Sequence, residues 1–342
     1  MPHPAVENAT GFPCELLFLA DEAMQPVCTI LLQASWGIGV NGTLERLADP
    51  VPIDLAGSHH GDPATSSVRM EAPIAFFKPR TDVVMLGHAH APSAGASEAQ
   101  VGLRIGPLQK IVRVSGDRVM SRTLGRHAMS RPQPFETIPL VYERAFGGTD
   151  TREAVDGVLR GDVRNPVGQG WRDPKLPEED EVAVPNIEDP EHPFIEYGQT
   201  PPPAGFGFIA PHWQPRAALA GTFDDAWDQT RKPLLPLDFD RRFFNAASNG
   251  LVAPGYLRGD EAAVILNASP EGRLDLQLPD TATPWCDVEL RGRRHVEQPL
   301  LLDTVVIDLD ARHLLLQRRT FLPLQRGPED LVSVRVLPRR PS

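Results

Sequence analysis

The residues that could do chemistry are few, and the most suggestive pair is His88 and His90. The two histidines flank Ala89 directly after the apolar run VVMLG. If this run continues as a β-strand, residues two apart point to the same face, so both imidazoles could approach one ion. Imidazole nitrogens are common ligands of metals such as Zn²⁺. The spacing therefore raises the hypothesis of a metal site at His88 and His90.

A metal site at His88 and His90 needs a further ligand, and the candidate that the sequence offers is not well spaced. A cupin-like metal site pairs an HxH with a nearby carboxylate, and the acid that follows here is Glu98. The connection from His90 to Glu98 is too long for the usual cupin spacing and runs through Pro, Ser, Gly and Ala residues. We therefore favour histidines that are hydrogen-bonded at a strand end, and keep a metal-dependent cupin-like enzyme as the alternative. The pair His59-His60 lies in a polar loop and is a weaker candidate.

Two pairs of aspartates form the other chemical candidate, and paired carboxylates can act as acid and base in a hydrolase. The pairs are Asp224 with Asp225 and Asp238 with Asp240. Helix capping and ion pairs to nearby arginines explain these carboxylates more simply. The arginines that could pair with them are Arg231, Arg241 and Arg242.

The sequence motifs of common catalytic and nucleotide-binding sites are missing. The chain contains no GxSxG nucleophile elbow, no GxxxxGK[ST] phosphate loop and no GxGxxG after a strand. We therefore predict a protein that is not an enzyme and that binds no cofactor.

The acidic pairs lie within residues 217–244, a hub segment that combines Trp227 with several phenylalanines and prolines. Thr222 is predicted to cap a short helix, which Pro233 ends. Because each proline removes a backbone donor, the part after the helix cannot be a central strand. We therefore expect a seam between two layers, in which four apolar side chains are buried: Leu234, Leu235, Leu237 and Phe239.

Composition and charge narrow the class of protein. The 342 residues carry a formal net charge of −11, which argues against nucleic acid or an anionic membrane as the main partner. The one basic cluster is the tail at residues 335–340. No apolar run reaches the roughly 20 residues of a membrane span, and no cleaved signal is predicted. Three cysteines without CxxC spacing indicate a reducing compartment, so we expect a cytoplasmic protein.

Apolar runs with strand periodicity predict a mainly β protein with few short helices and long irregular loops. An antiparallel sandwich-like or distorted-barrel architecture is expected, as a single interlocked domain over residues 1–342 with a short polar lead. Hairpins are expected at residues 101–115, 262–278 and 304–317. The remaining strands are predicted at residues 28–36, 83–89, 138–146 and 332–336.

Periodicity disappears between residues 150 and 215, where Gly, Pro and acidic residues dominate. A structureless connection of this length is rare in a compact domain, so we interpret it as an excursion that wraps around the protein. The acidic run at residues 178–181 is expected to be solvated. Six aromatic residues are the predicted anchors: Trp171, Phe194, Tyr197, Phe206, Phe208 and Trp213.

Eight segments of the chain form a set that occurs in one order: FFKPRTDVVMLGHAHAP (76–92), PFETIPLVYERAFGG (134–148), NPVGQGW (165–171), PNIEDP (185–190), PAGFGFIAPHWQPR (203–216), GTFDDAWDQTRKPLLPLDFDRRFFNAA (221–247), YLRGDE (256–261) and LDTVVIDLD (302–310). In this order they resemble the family known as domain of unknown function 2169. The resemblance covers the chain from about residue 12 to about residue 324, with Val184 and Gln317-Arg318-Arg319 as modest departures. It implies a bacterial protein encoded among type VI secretion genes, where family members act as chaperones or adaptors that load a toxic effector onto the spike complex.

An adaptor of this kind needs a rigid frame and a surface that holds its client. We expect docking by strand addition at an exposed sheet edge, or on apolar residues of the excursion. The candidates for partner binding are Trp171, Phe206, Phe208 and Trp213. For each aromatic the competing interpretation is core packing. Two other classes stay open: the metal-dependent enzyme, and a structural or carbohydrate-binding β protein.

Overall fold

The computed structural model describes residues 4–340 except Asp156, Asp280, Thr281 and Arg293, so the start of the predicted lead lies outside it. The described residues are mainly β, as predicted. In chain order the strands are β1 (Ala5–Asn8), β2 (Cys14–Ala20), β3 (Pro26–Ile38), β4 (Leu44–Arg46), β5 (Ser58–His59), β6 (Val68–Met70), β7 (Asp82–Leu86), β8 (His88–His90), β9 (Glu98–Ile105), β10 (Leu108–Ser115), β11 (Arg118–Thr123), β12 (Arg126–Met129), β13 (Thr137–Pro139), β14 (Phe146–Gly147), β15 (Thr149–Val155), β16 (Val158–Gly161), β17 (Gln169–Gly170), β18 (Glu181–Val184), β19 (Ile187–Glu188), β20 (Ala262–Leu266), β21 (Arg273–Gln277), β22 (Trp285–Leu290), β23 (Arg294–Pro299), β24 (Leu301–Asp308), β25 (His313–Pro323) and β26 (Leu331–Leu337).

Helices are few and short. The α-helix α1 spans Asp225–Thr230, and the 3₁₀ helices span Tyr142–Arg144, Arg216–Ala220, Arg241–Phe244 and Pro328–Asp330. In the part of the chain that the structure describes, no helix is long and apolar enough to cross a membrane.

The central sheet is built on the long strand β3. Its order is β2–β3–β25–β24–β7, with β4 also paired to β3. Only the β24–β7 pair is parallel among these described strands. Residues 27–36 of β3 are all buried, which explains why the apolar run there is nearly continuous. The strands predicted at residues 28–36, 304–307 and 313–317 are confirmed.

One face of β3 packs into two hydrophobic clusters. Cys28, Ile30 and Leu32 pack against the second sheet, ordered β1–β26–β22–β23. Further along the strand, Trp36 and Ile38 belong to the main core. Sharing a strand in this way links the two clusters, whereas the single interlocked domain stays a prediction.

The main core lies between the central sheet and a third sheet, ordered β19–β10–β9–β20–β21. Two of the predicted hairpins, β9–β10 and β20–β21, form adjacent parts of this sheet and are confirmed. The stacked sheets close into no barrel within the described ranges, so the sandwich-like alternative is the one observed.

The strand predicted at residues 138–146 is wrong beyond its first residues. Ile138, Leu140, Tyr142 and Phe146 of the predicted alternation are all buried, but Ala145 on its opposite side is buried as well. The backbone, however, leaves the sheet after Pro139, which has no N–H for a ladder, and turns into the 3₁₀ helix Tyr142–Arg144.

The excursion begins later than predicted, because β15 and β16 pair as a hairpin. Its side chains are mostly exposed, and a strand that buries neither face carries no apolar alternation. The rest, residues 162–215, is called the wrapped segment here. It is largely irregular and is anchored by buried aromatics, as predicted: Phe194, Phe206, Phe208 and Trp213.

Candidate functional site

His88 and His90 lie on the short strand β8, which pairs with β13. Nδ1 of His88 lies 2.9 Å from Oδ1 of Asp310, in the turn between β24 and β25. Burial, followed by the neighbouring His88, lowers the pKa of His90. Glu98 is exposed at the start of β9. Within the described residues no three His, Cys, Asp or Glu side chains group closely enough to hold a metal ion.

The aspartates of the hub segment cap helices and bind neighbouring side chains. Oδ1 of Asp224 accepts a hydrogen bond of 2.8 Å from the backbone N–H of Trp227 and so caps α1. The prediction that Thr222 is the cap is therefore wrong. Asp225 follows in the first turn of α1, where its charge suits the helix dipole.

Thr222 instead binds Asp238. Its backbone N–H and its hydroxyl donate to the two carboxylate oxygens of Asp238 at 3.0 and 2.7 Å, and both contacts lower the pKa of Asp238. The Arg242 guanidinium lowers the pKa of Asp240, and Arg241 pairs with Glu22. Asp224, Asp238 and Asp240 thus carry structural contacts, and none of these contacts resembles an acid–base pair.

The four aromatics predicted to bind a partner are placed differently from one another. Phe206 is 0 % exposed, Phe208 is 1 % and Trp213 is 2 %, all within the main core. Trp171 is half-buried beside a small cluster that contains Phe146. A partner that contacts Phe206, Phe208 or Trp213 would first have to displace core packing, so their role in binding stays a prediction.

The hub segment is not an internal seam. Residues 221–240, called the exposed element here, are mostly accessible, and α1 has no buried residue. Leu237, which was expected to be buried, is 85 % exposed, whereas Leu234 and Leu235 are half-buried. Proline excludes a central strand, but it does not decide whether the resulting irregular backbone packs inside or stands on the surface.

The exposed element is held together by its own contacts. Nε1 of Trp227 donates to the carbonyl of Leu234 at 2.8 Å, and Nε of Arg231 donates to the carbonyl of Leu235 at 2.5 Å. The Thr222–Asp238 contact closes its base. Among the described residues, the side-chain hydrogen bonds of residues 221–239 all stay within the element. Its shape is therefore set locally.

Gly221 permits the start of this element. Its φ is +86°, and a Cβ there would lie 2.7 Å from Cβ of Pro236 and 2.9 Å from Oδ1 of Asp238. Both the backbone conformation and the close approach require glycine.

The accessible apolar surface of the element consists of Phe223 and Leu237, with part of Trp227. Phe223 is 54 % exposed and meets the Trp227 ring edge-on at a centroid distance of 4.8 Å. Phe223 and Leu237 each lie one residue from the Thr222–Asp238 contact. The element thus presents aromatic and aliphatic side chains on a backbone whose conformation is already fixed.

Two cavities lie next to this element and share Arg216 in their walls. The first, of about 450 Å³, is called the arginine cavity here. The second, of about 580 Å³, is mostly apolar and includes His59, Ile74 and Phe244 in its lining. The arginine cavity is defined by Arg80, Arg164, Arg216, Arg242 and Asn245.

Arg216 lines both cavities and is held in place by several contacts. Its guanidinium donates to both carboxylate oxygens of Glu71, at 2.6 and 3.1 Å, and to the carbonyls of Ile209 and Phe243. It also lies 5.1 Å from the ring centroid of Phe243. These contacts join the wrapped segment to the Arg241–Phe244 helix.

Lys110 holds two lining residues of the arginine cavity in place, Ser248 and Asn249. Its Nζ donates to Oγ of Ser248 at 2.5 Å and to the carbonyl of Asn249 at 2.7 Å, and both acceptor residues line the cavity. Burial lowers the pKa of Lys110 to about 8. Sequence reasoning missed this contact because its partners are far apart in the chain.

Comparison with known proteins identifies the chain at the level of its family. No curated protein and no solved structure matches it. A family model described as an uncharacterized protein conserved in bacteria matches residues 23–319, which is most of the chain. The chain therefore belongs to the DUF2169 family of bacterial proteins.

Proposed function

We propose that this protein is a non-catalytic adaptor or chaperone that binds a type VI secretion effector and promotes its loading onto the spike complex. The secretion role is what the family resemblance of the eight segments implies. The observation that supports a binding role most directly is the exposed element, with Phe223 and Leu237 in solvent on a locally braced backbone.

The physical argument concerns the cost of association. Ordering loops and side chains opposes binding, so a surface that is already ordered loses less conformational entropy. Aromatic side chains are enriched among the residues that contribute most to binding, and the Phe223–Trp227 pair is such a candidate. We propose that the client packs against Phe223 and Leu237.

The edge of β2 is a second docking surface within the same function. Among the described strands β2 pairs only with β3. Gln33 N–H donates to the carbonyl of Pro13, so the ladder alternation turns the backbone N–H of Phe18 away from β3. An extended client segment could add here, as predicted for an exposed edge. A Phe18→Pro variant would remove that donor while leaving the exposed element intact.

Co-expression tests the proposed function. The chain is produced with the effector and the spike protein encoded beside it, and complexes are isolated by affinity capture and size exclusion. We expect a stable complex with the effector, and loss of effector solubility or of spike loading when this chain is omitted. An effector that reaches the spike equally well without this chain would overturn the proposal.

A further inference from the structure

We propose that the arginine cavity recognises an acidic, extended peptide segment of the client. The proposal rests on the adaptor function and names the chemistry of one contact. Leu219 and Arg242, which lie just before and just after the exposed element, both line the cavity. A client held on that element therefore has the cavity within immediate reach.

The first argument is charge. Four arginines line the cavity and no aspartate or glutamate does, although the whole chain carries a net charge of −11. Arg164 and Arg242 are each bound to a neighbouring aspartate, and Arg216 to Glu71. Arg80 is exposed, and its guanidinium has no hydrogen bond or ion pair with any described residue. An anionic group in the cavity would give Arg80 its partner.

The second argument is an unpaired acceptor. Asn245 is only 8 % exposed, and its Nδ2 donates to the carbonyl of Arg80 at 2.8 Å and to Oδ1 of Asp82 at 2.9 Å. Both partners only accept, which fixes the orientation of the amide. Oδ1 of Asn245 is left buried without a donor among the described residues. Buried acceptors of this kind are normally satisfied, and an N–H group of a bound ligand or a water would satisfy this one.

Together the two arguments select a peptide over a simple anion. A free carboxylate can bind Arg80 but has no hydrogen to donate to Asn245, and hydrogen phosphate can donate an O–H but offers no apolar group to the lining. A peptide supplies a backbone N–H for Asn245 and an acidic side chain for Arg80. The apolar lining suits an aliphatic neighbour in the peptide and includes Pro202, Pro203, Ile209 and Val252.

Fluorescence anisotropy with two labelled hexapeptide amides tests the proposal. The acidic probe is Gly-Leu-Glu-Leu-Glu-Leu and the neutral probe is Gly-Leu-Gln-Leu-Gln-Leu. We expect the full-length protein to bind the acidic probe about tenfold more tightly than the neutral one, as a charge-assisted hydrogen bond predicts. The Arg80→Glu variant should abolish that preference. Arg326→Glu, at an exposed arginine outside the cavity, makes the same charge change and should retain it.

The role of Asn245 is tested on the peptide, so the protein stays unaltered. An acidic probe that is N-methylated at every leucine and every glutamate loses those backbone N–H donors, and we expect about tenfold weaker binding. Equal binding of both probes, no binding of either, or an Arg80→Glu variant that binds like the wild type would overturn the proposal. If neither probe binds while the effector still co-purifies, only the cavity proposal is contradicted. If the probes bind as expected but no effector complex forms, only the adaptor function is contradicted.

Discussion

The wrapped segment and the exposed element are alike in composition and opposite in placement. Both are irregular, rich in proline and supplied with aromatic residues. The wrapped segment buries Phe206, Phe208 and Trp213 in the main core, whereas the exposed element leaves Phe223 and Leu237 in solvent. Similar composition therefore occurs in two different placements, one in the core and one on the surface for which we propose a binding role.

The partners of the two regions explain the difference. Nδ2 of Asn165, in the wrapped segment, donates to the carbonyls of Tyr142 and Phe146. Arg216, the residue directly after the wrapped segment, donates to the carboxylate of Glu71. These contacts join residues far apart in the chain and hold the segment against the sheets. The exposed element closes on itself through local contacts such as Trp227 to Leu234. Long-range partners decide which apolar residues become core.

The largest expected difference is between two tryptophans. Trp213→Ala removes a buried ring that packs edge-on against Tyr142, and we expect it to lower the free energy of unfolding by about 3–5 kcal/mol. Trp227→Ala, in the exposed element, is the matched variant and should cost less than about 1 kcal/mol. Urea denaturation measures both. Equal costs would show that the two regions are not distinct.

The next effect tests how the wrapped segment is held. Glu188 is buried, binds Arg113 and Arg118 at 2.7 Å each, and accepts a 2.8 Å bond from the N–H of Phe194. Glu188→Gln leaves the buried Arg118 guanidinium and the partly exposed Arg113 without their counter-charge, so we expect a loss of about 3 kcal/mol. Glu178→Gln, at an exposed pair, should cost less than about 1 kcal/mol by the same denaturation. A similar cost for both variants would contradict this account.

A smaller effect depends on pH. Hydrogen bonds from Arg152 hold the pKa of Asp150 below its usual value, and Asp150 also accepts from the N–H of Asp173. A depressed folded-state pKa stabilises the protein above the unfolded pKa of about 3.9, and this contribution declines as the pH falls below that value. Asp150→Asn should therefore cost about 1.5 kcal/mol at neutral pH, and the gap from wild type should narrow between about pH 4 and pH 2.

The control for this pH effect is Asp275. It has the same kind of neighbour, Arg273, but it is solvent-exposed. We expect Asp275→Asn to change the free energy of unfolding less than Asp150→Asn does at every pH, because solvent screens the Asp275–Arg273 pair. An Asp150 variant whose gap from wild type stays constant with pH would contradict the assigned cause.

The smallest expected effect on stability is confined to the exposed element. Gly221→Ala forces a Cβ against Pro236 at a positive φ, and we expect a local cost of about 1 kcal/mol. Hydrogen exchange should rise at the amides of α1 without a comparable rise in the central sheet. Gly250→Ala, at a similar φ of +83° but in open space, separates backbone strain from the close contact. Faster exchange throughout the molecule would show that the element is not independent.

Part of this fold could be predicted from sequence because local patterns specify it. The runs that became β3, β9 and β10 bury whole faces, and such burial leaves a clear apolar pattern. Residues 138–146 show the limit of such patterns. The apolar residues that alternate there are buried, but the backbone leaves the sheet after Pro139 and forms no continuous strand. Leu237 shows another limit, because nothing local tells whether a neighbouring layer covers it.

The candidate site was less accessible to sequence reasoning than the fold. The arginine cavity combines residues from positions 80, 164, 216 and 242, and only folding brings them together. The motif signals pointed elsewhere: Nδ1 of His88 pairs with Asp310, and no three His, Cys, Asp or Glu side chains among the described residues group closely enough to hold a metal ion. Thr222 and Asp224 are equally good caps by residue type, and the choice depends on Asp238, which binds Thr222.

The most direct test of the central claim is effector capture by a surface variant. Phe223→Ser combined with Leu237→Ser removes the apolar surface of the exposed element and leaves its bracing contacts in place. With the effector co-expressed, we expect this double variant to melt at the wild-type temperature and to lose effector from the affinity capture. Effector capture at the wild-type level by the equally stable double variant would contradict the claim that this element binds the client.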